Sequence, residues 1–176
     1  MPMTMVAAAV CVYAGCGNNA PDLESLNVLE CDLKSGAVKV LQTLRGFKGT
    51  TYFQLSADGK YLYTPAGNVA ENDSSVWMVR FKVEHGRLGA MEKIAKLPCE
   101  APCHVELSPD GKTVAFAAYL SGTVGLVPVD GGGAVLSCTL PDVGMGPNRK
   151  RQLKAYAHFA FFLPSGDRVG FIDLGG

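Results

Sequence analysis

Three segments of this chain repeat one pattern at nearly constant spacing, and that repetition limits the fold more than any other feature. They are YFQLSADGKYLYTPAG from Tyr52, HVELSPDGKTVAFAAY from His104 and HFAFFLPSGDRVGFIDLG from His158. Aligned on the turn glycines Gly59, Gly111 and Gly166, they recur at intervals of 52 and 55 residues. Self-similarity at a fixed period marks a repeat architecture, in which each unit buries its apolar face against the next.

Each unit reads as all-β. Two short apolar runs flank S-A-D-G-K or S-P-D-G-K, where proline suits the first central turn position and glycine supplies a positive φ. A third run follows, SVWMVRFKV or TVGLVPVD, then a second turn, EHGRLG or GGG, then a fourth run. Alternation puts Val76, Met78, Arg80 and Lys82 on one face of its strand and Trp77, Val79, Phe81 and Val83 on the other. The second set is the more apolar and is expected to pack against a neighbouring sheet. No amphipathic helix of useful length interrupts the pattern.

Four antiparallel strands per unit, repeated, describe the blade of a β-propeller. A β-sandwich is the rival, but sandwiches lack a regular four-strand repeat. Upstream, VCVYAG, LNVLECDL and AVKVLQTLRG supply the strands of one more unit. The expected fold is therefore an all-β propeller of four-stranded antiparallel blades, with three blades and the inner half of a fourth. Residues 1–176 read as a single domain that stops inside a blade and leaves an apolar strand edge open. A truncated fragment is the plain reading, and self-association of two halves through the open edge is the alternative.

Charge and cysteine content narrow the partners. Sixteen Lys+Arg balance sixteen Asp+Glu, so no field of either sign draws the chain to nucleic acid or to an anionic membrane. The six cysteines, at 11, 16, 31, 99, 103 and 138, lack C-x-x-C spacing, and only three histidines accompany them. No metal or cofactor is expected, and the cysteines read as buried, reduced thiols of a cytoplasmic protein. The opening MPMTMVAAAVCVYAGCGNN resembles a short signal or lipoprotein leader with Cys16 as the acylated residue. It lacks a cationic start and is too short to span a bilayer. We read VAAAVCVYAG as a first buried strand, with an exported form left open.

Hairpin parity places the chemistry. If the S-x-D-G-K turn lies at one end of a blade, the start of the first strand and the end of the second share the opposite rim. That rim collects His104, His158, Tyr119, Ser121 and Asp173. The connection GPNRKRQLKAYAH is long for a link between blades and sets Arg149, Lys150 and Arg151 beside His158. Cations on a long loop next to a histidine suit an anionic substrate, whereas a solvated surface run is the other reading.

These residues resemble a known family. APCHVELSPDGKTVAFAAYLSGTVGLVPVDGGG and GPNRKRQLKAYAHFAFFLPSGDRVGFIDLG look like the lactonase-type seven-bladed propellers, which include cycloisomerase-like 6-phosphogluconolactonases and muconate-lactonizing enzymes. The VCVYAGCGNN opening is similar to that family's V-Y-x-G-T-Y strand. The ordered set P-C-H, G-P-N-x-x-R-Q, histidine and D-L-G is the specific part; the turns alone occur in many propellers.

The resemblance implies a sugar-lactone hydrolase of carbohydrate metabolism acting on a small anionic lactone, with no metal. A carboxymuconate-type cycloisomerase and a non-catalytic binding propeller or inactive fragment are the alternatives. By position, His158 matches the second histidine of an H-x-H, Arg151 and Gln152 the R-Q pair, Asn148 the G-P-N asparagine, His104 the P-C-H histidine and Asp173 the D-L-G aspartate. His158 is then the general base and Arg151 holds the substrate phosphate or carboxylate. Gln152, Asn148, His104 and Asp173 bind or shape the pocket. Set against this, His158 reads equally as a strand-end ring bonded to a carbonyl, His104 as a buried ring, Asp173 as a loop cap and Tyr119 as packing. Three positions depart from the pattern: Tyr156 replaces the first histidine, Ala118 an asparagine and Leu120 a glycine.

Overall fold

In the computed structural model, which describes residues 8–16, 24–68, 75–141 and 144–175, the regular structure is entirely antiparallel β. The first sheet runs β1 (Ala9–Gly15), β2 (Glu24–Asp32), β3 (Val38–Arg45). In the second, β4 (Phe47–Lys48) and β5 (Gln54–Leu55) both pair with β6 (Tyr61–Asn68), followed by β7 (Val76–Glu84) and β8 (Arg87–Leu97). The third runs β9 (Pro102–Leu107), β10 (Thr113–Ala118), β11 (Thr123–Pro128), β12 (Leu136–Thr139). The fourth pairs β13 (Ala157–Phe162) with β14 (Val169–Asp173). This is a partial β-propeller of successive blades.

The repeated turns form as their residues dictate. Gly111 takes φ 72°, and its N–H donates to the Ser108 carbonyl at 2.8 Å. The Ser108 hydroxyl donates to Asp110 Oδ1 at 2.6 Å, and the Lys112 N–H reaches the same oxygen at 3.1 Å. Ser56, Asp58, Gly59 and Lys60 repeat each of these bonds. Short side-chain acceptors inside the turn satisfy amides that no ladder can reach.

Three apolar layers hold the blades face to face. Leu26 and Val28 of the first sheet meet Phe47, Leu62, Val79 and Phe81 of the second. The other face of the second sheet, with Met78 and Tyr63, packs on Val105, Val114 and Phe116 of the third. Both faces of β7 are thus buried: the Val79 and Phe81 side against the first blade as the alternation suggests, and the Met78 side against the third. Between the third and fourth sheets the contact is built from Ala115, Ala117, Ala157 and Ala160, small enough for close approach. Two cross-strand glycines make room for their partners' rings. Gly125 faces Phe116, where a Cβ would come within 2.6 Å of the ring, and Gly170 faces Phe161 in the same way.

Two expectations need correction. The first strand forms at Ala9–Gly15, but it is not buried: Val10 and Val12 are exposed, and only Tyr13 and Ala14 are half-covered. Among the described residues its strand partner is β2; the Tyr13 ring packs against the apolar layer between the first two blades, and its hydroxyl donates to the Gly86 carbonyl at 3.0 Å. Val6 and Ala7 of that predicted strand lie outside the described residues. The cysteines are all free thiols, yet none is fully buried, and Cys11 and Cys138 are exposed. They sit on strand edges and rims, which a sequence reading of small apolar residues does not separate from the core.

Candidate functional site

The inner strands of the third and fourth blades each carry one irregularity, at matching places. On β9, Ala117 of β10 faces His104 while Ala118 faces Pro102, so Cys103 is an extra, unpaired residue. On β13, Asp173 of β14 faces Ala157 while Ile172 faces Phe159, so His158 is extra in the same way. A bulge re-aims the side chain it frees. Cys103 and His158 both turn into one cavity of about 640 Å³, whose lining also includes Lys48, Thr51, Tyr119 and Arg151.

Counting back from the turn glycines explains the lining. Eight positions before Gly59, Gly111 and Gly166 stand Thr51, Cys103 and His158, and all three face the cavity. Seven positions before them stand Tyr52, His104 and Phe159, which form a column of mutually tilted rings with centroids 4.1 and 3.9 Å apart. His158 is therefore the counterpart of Cys103, one residue out of step with His104. That signal lay in the glycine alignment itself, and it also points to Thr51 and Cys103, which the motif reading passed over.

His158 is exposed to the cavity, and its ring meets Tyr119 edge-on at 5.9 Å and 84°. Tyr119 in turn stacks on Tyr156 at 4.7 Å, so the tyrosine at the departing position braces the wall around the histidine. Arg151 lines the same cavity from the long loop, exposed, and its side chain has no hydrogen bond or ion pair among the described residues. Among the described lining residues, Glu100 is the single carboxylate against the cations Lys48 and Arg151. The field in the cavity favours an anion.

The other expected site residues divide. Gln152 and Asn148 lie with Arg151 and Tyr119 around a smaller cavity of about 280 Å³. Their side chains organise the loop: the Asn148 N–H donates to Gln152 Oε1 at 2.9 Å, the Gln152 amide donates to the Leu174 carbonyl at 3.2 Å, and the Lys150 N–H donates to Asn148 Oδ1 at 3.2 Å. They shape the segment that presents Arg151. Arg149 and Lys150 are exposed and outside the lining of either cavity. Asp173 lines neither cavity; its Oδ1 accepts the N–H groups of Tyr156 at 2.6 Å and Gly175 at 2.9 Å, which ties the end of β14 to the start of β13.

His104 is buried at 4% exposure and is not part of the cavity lining. Its Nδ1 accepts the Ala160 N–H at 3.3 Å, so the neutral ring carries its proton on Nε2, which has no partner among the described residues. Burial, and then the nearby His158, hold its pKa below the ordinary histidine value. The Cys103 thiol lies 3.5 Å from the carbonyl oxygens of Ala157 and His158 and 3.6 Å from that of Ala117, bridging the third and fourth blades. Burial pushes its pKa up, partly offset by the backbone of Tyr119, so it is a thiol and not a nucleophilic thiolate. Among the described residues, no group of three or more His, Cys, Asp or Glu stands together as metal ligands. Among them, too, no helix is long and apolar enough to cross a membrane.

Known proteins resemble this chain. Residues 11–176 match the family described as Lactonase, 7-bladed beta-propeller. A 6-phosphogluconolactonase of Formosa agariphila is 24% identical over 154 residues, covering 85% of this chain and 43% of that protein. A 6-phosphogluconolactonase of Bacillus subtilis is 36% identical over 77 residues, 43% of this chain and 22% of that one. The structure of the periplasmic gluconolactonase of Pseudomonas aeruginosa superposes with a TM-score of 0.70 at 20% identity, covering 94% of this chain and 47% of that chain. At that identity the likeness is one of fold. This chain spans about half the length of the proteins it resembles.

Proposed function

The chain belongs to the lactonase family of seven-bladed β-propellers, and from that premise we propose that it opens a sugar lactone of the 6-phosphogluconolactone type by hydrolysis. The observation that carries this reading is the shared cavity: His158, whose ring hydrogen-bonds to no described residue, and Arg151 line the same opening, and among the described lining residues cations outnumber carboxylates.

A lactone is a cyclic ester. Its hydrolysis needs a base for the attacking water and positive charge near the carbonyl oxygen. Neutral imidazole suits the first role at neutral pH. The water proton passes to His158 as the oxygen adds to the carbonyl carbon. The ring C–O bond then breaks, and the leaving alkoxide takes the proton back from the imidazolium. Arg151 supplies the positive charge. Asn148 and Gln152 hold the loop that aims it, and Tyr119 limits the swing of the His158 ring.

A cytoplasmic location belongs to this reading, supported by six free thiols. Hydrolysis of 6-phosphogluconolactone, followed by acid release, tests the proposal against turnover of a carboxymuconate, the substrate of the rival cycloisomerase chemistry. Acid release that R151Q abolishes supports it. Turnover of the muconate alone, or of neither compound, overturns it.

A further inference from the structure

Among the described lining residues, the cation that no motif singled out is Lys48, and it stands on a prepared seat. Lys48 lies on the two-residue strand β4, directly across from Gly67 of β6. A Cβ at Gly67 would come within 3.1 Å of both Cγ and Cε of the lysine, tighter than such contacts allow without displacement. The aliphatic stem therefore runs over the bare glycine backbone, as the Phe116 and Phe161 rings do over Gly125 and Gly170. In those two pairs the glycine admits a ring; here it carries a half-buried lysine whose cross-strand glycine also lines the cavity. A long stem covering backbone while the ammonium reaches water or ligand is ordinary lysine behaviour. No described residue hydrogen-bonds or pairs with that ammonium.

The two cations enter the cavity from different blades. Lys48 comes from the second blade and Arg151 from the loop before the fourth, with Ala101, Pro102 and Cys103 of the third between them. Arg151 belongs to the His158 side, since both it and His158 share Tyr119 as a neighbour. Lys48 marks the far side.

We propose that Lys48, seated on Gly67, binds the terminal phosphate of the substrate, leaving Arg151 beside His158 to meet the lactone carbonyl. This rests on the lactonase reading and adds a specificity residue to it: Lys48 favours the lactone that carries a phosphate away from the ring ester over the uncharged sugar lactone. A compact, rotatable ammonium suits a phosphate as a point charge, while the planar guanidinium suits a directed contact at the carbonyl.

The test uses the unreactive ring-opened acids as probes, with binding read by calorimetry on the full chain. 6-Phosphogluconate is expected to bind at least about tenfold more tightly than gluconate, as one charge-assisted contact implies. K48Q removes that advantage without weakening gluconate, K48R keeps it, and G67A, which leaves every charge in place, reduces it by dislodging the stem. Circular dichroism and melting of each variant report that it is folded. An unchanged 6-phosphogluconate affinity in K48Q overturns the inference, even where lactone hydrolysis persists and the lactonase reading stands. Binding of neither acid overturns the inference as well, and absence of lactone turnover in the same preparation extends that failure to the reading beneath it.

Discussion

Cys103 and His158 are equivalent residues: each is the extra member of a bulge, eight positions before its turn glycine, and the thiol of the first lies 3.5 Å from the carbonyl oxygen of the second. The repeat thus places a side chain at the cavity in the second, third and fourth blades, and only its chemistry changes from blade to blade. Threonine, thiol and imidazole stand at the same count before the turn glycine.

That contact makes Cys103 a brace for the His158 bulge. C103A is expected to lower stability by about 1 kcal/mol, the ordinary worth of one net hydrogen bond. C103S, which keeps a donor, retains more of it. Urea denaturation of the three proteins checks this. Equal midpoints for alanine and the native residue would refute the brace.

His158→Ala is expected to slow lactone opening by about 10²–10⁴-fold, the usual contribution of a general base, with little change in melting temperature because the ring is exposed. A kcat equal to that of the native protein removes His158 from the mechanism.

Burial holds His104 neutral, so the folded chain binds this proton less tightly than the unfolded chain. Stability from the site is complete above the ordinary histidine pKa of about 6.5, and is lost as pH falls through the lower folded value. H104F removes that part of the slope but strands the buried Ala160 N–H, at about 1–3 kcal/mol. Thermal melts from pH 8 to pH 5 on both proteins test it; a slope that survives in H104F assigns the effect elsewhere.

The turn aspartates act at lower pH. Ser56, then Lys60, hold the Asp58 carboxyl down at about 2, and Ser108 and Lys112 hold Asp110 below its usual range. Their contribution is present above the free aspartate pKa, about 3.9, and is lost as pH falls through the depressed values. D58N combined with D110N is expected to flatten the acid limb of the stability curve below pH 4 and leave pH 7 to 8 unchanged in slope. G111A, forced into φ 72°, costs about 1–2 kcal/mol at every pH.

Much of this protein is local and therefore readable from the chain. The S-x-D-G-K turns bond to themselves, so Ser56, Asp58 and Gly59 announce their hairpin wherever it occurs. Alternation in β7 follows from the two-residue period of a strand. From these the repeat, the four-stranded unit and the shared rim of His158 and Arg151 follow. Position alone does not say what a polar side chain bonds to. Asp173 and Gln152 match motif positions, yet both spend their oxygens on backbone amides, and His104 spends Nδ1 on Ala160. Each of those partners lies across a sheet or a loop, 17, 4 and 56 residues away.

Tertiary structure alone decided the remainder, because it depends on how separate blades approach. The glycine count groups Cys103 with His158 and sets His104 one residue apart, but a bulge is one residue of mismatch between two strands, so only the paired strands show that the first two turn toward the cavity while His104 turns away. Lys48 reads as an unremarkable surface lysine until β4 is laid against β6 and the missing Cβ of Gly67 gives its stem a path. Sequence periodicity set where each side chain stands along its strand; packing between sheets set which of them share a space.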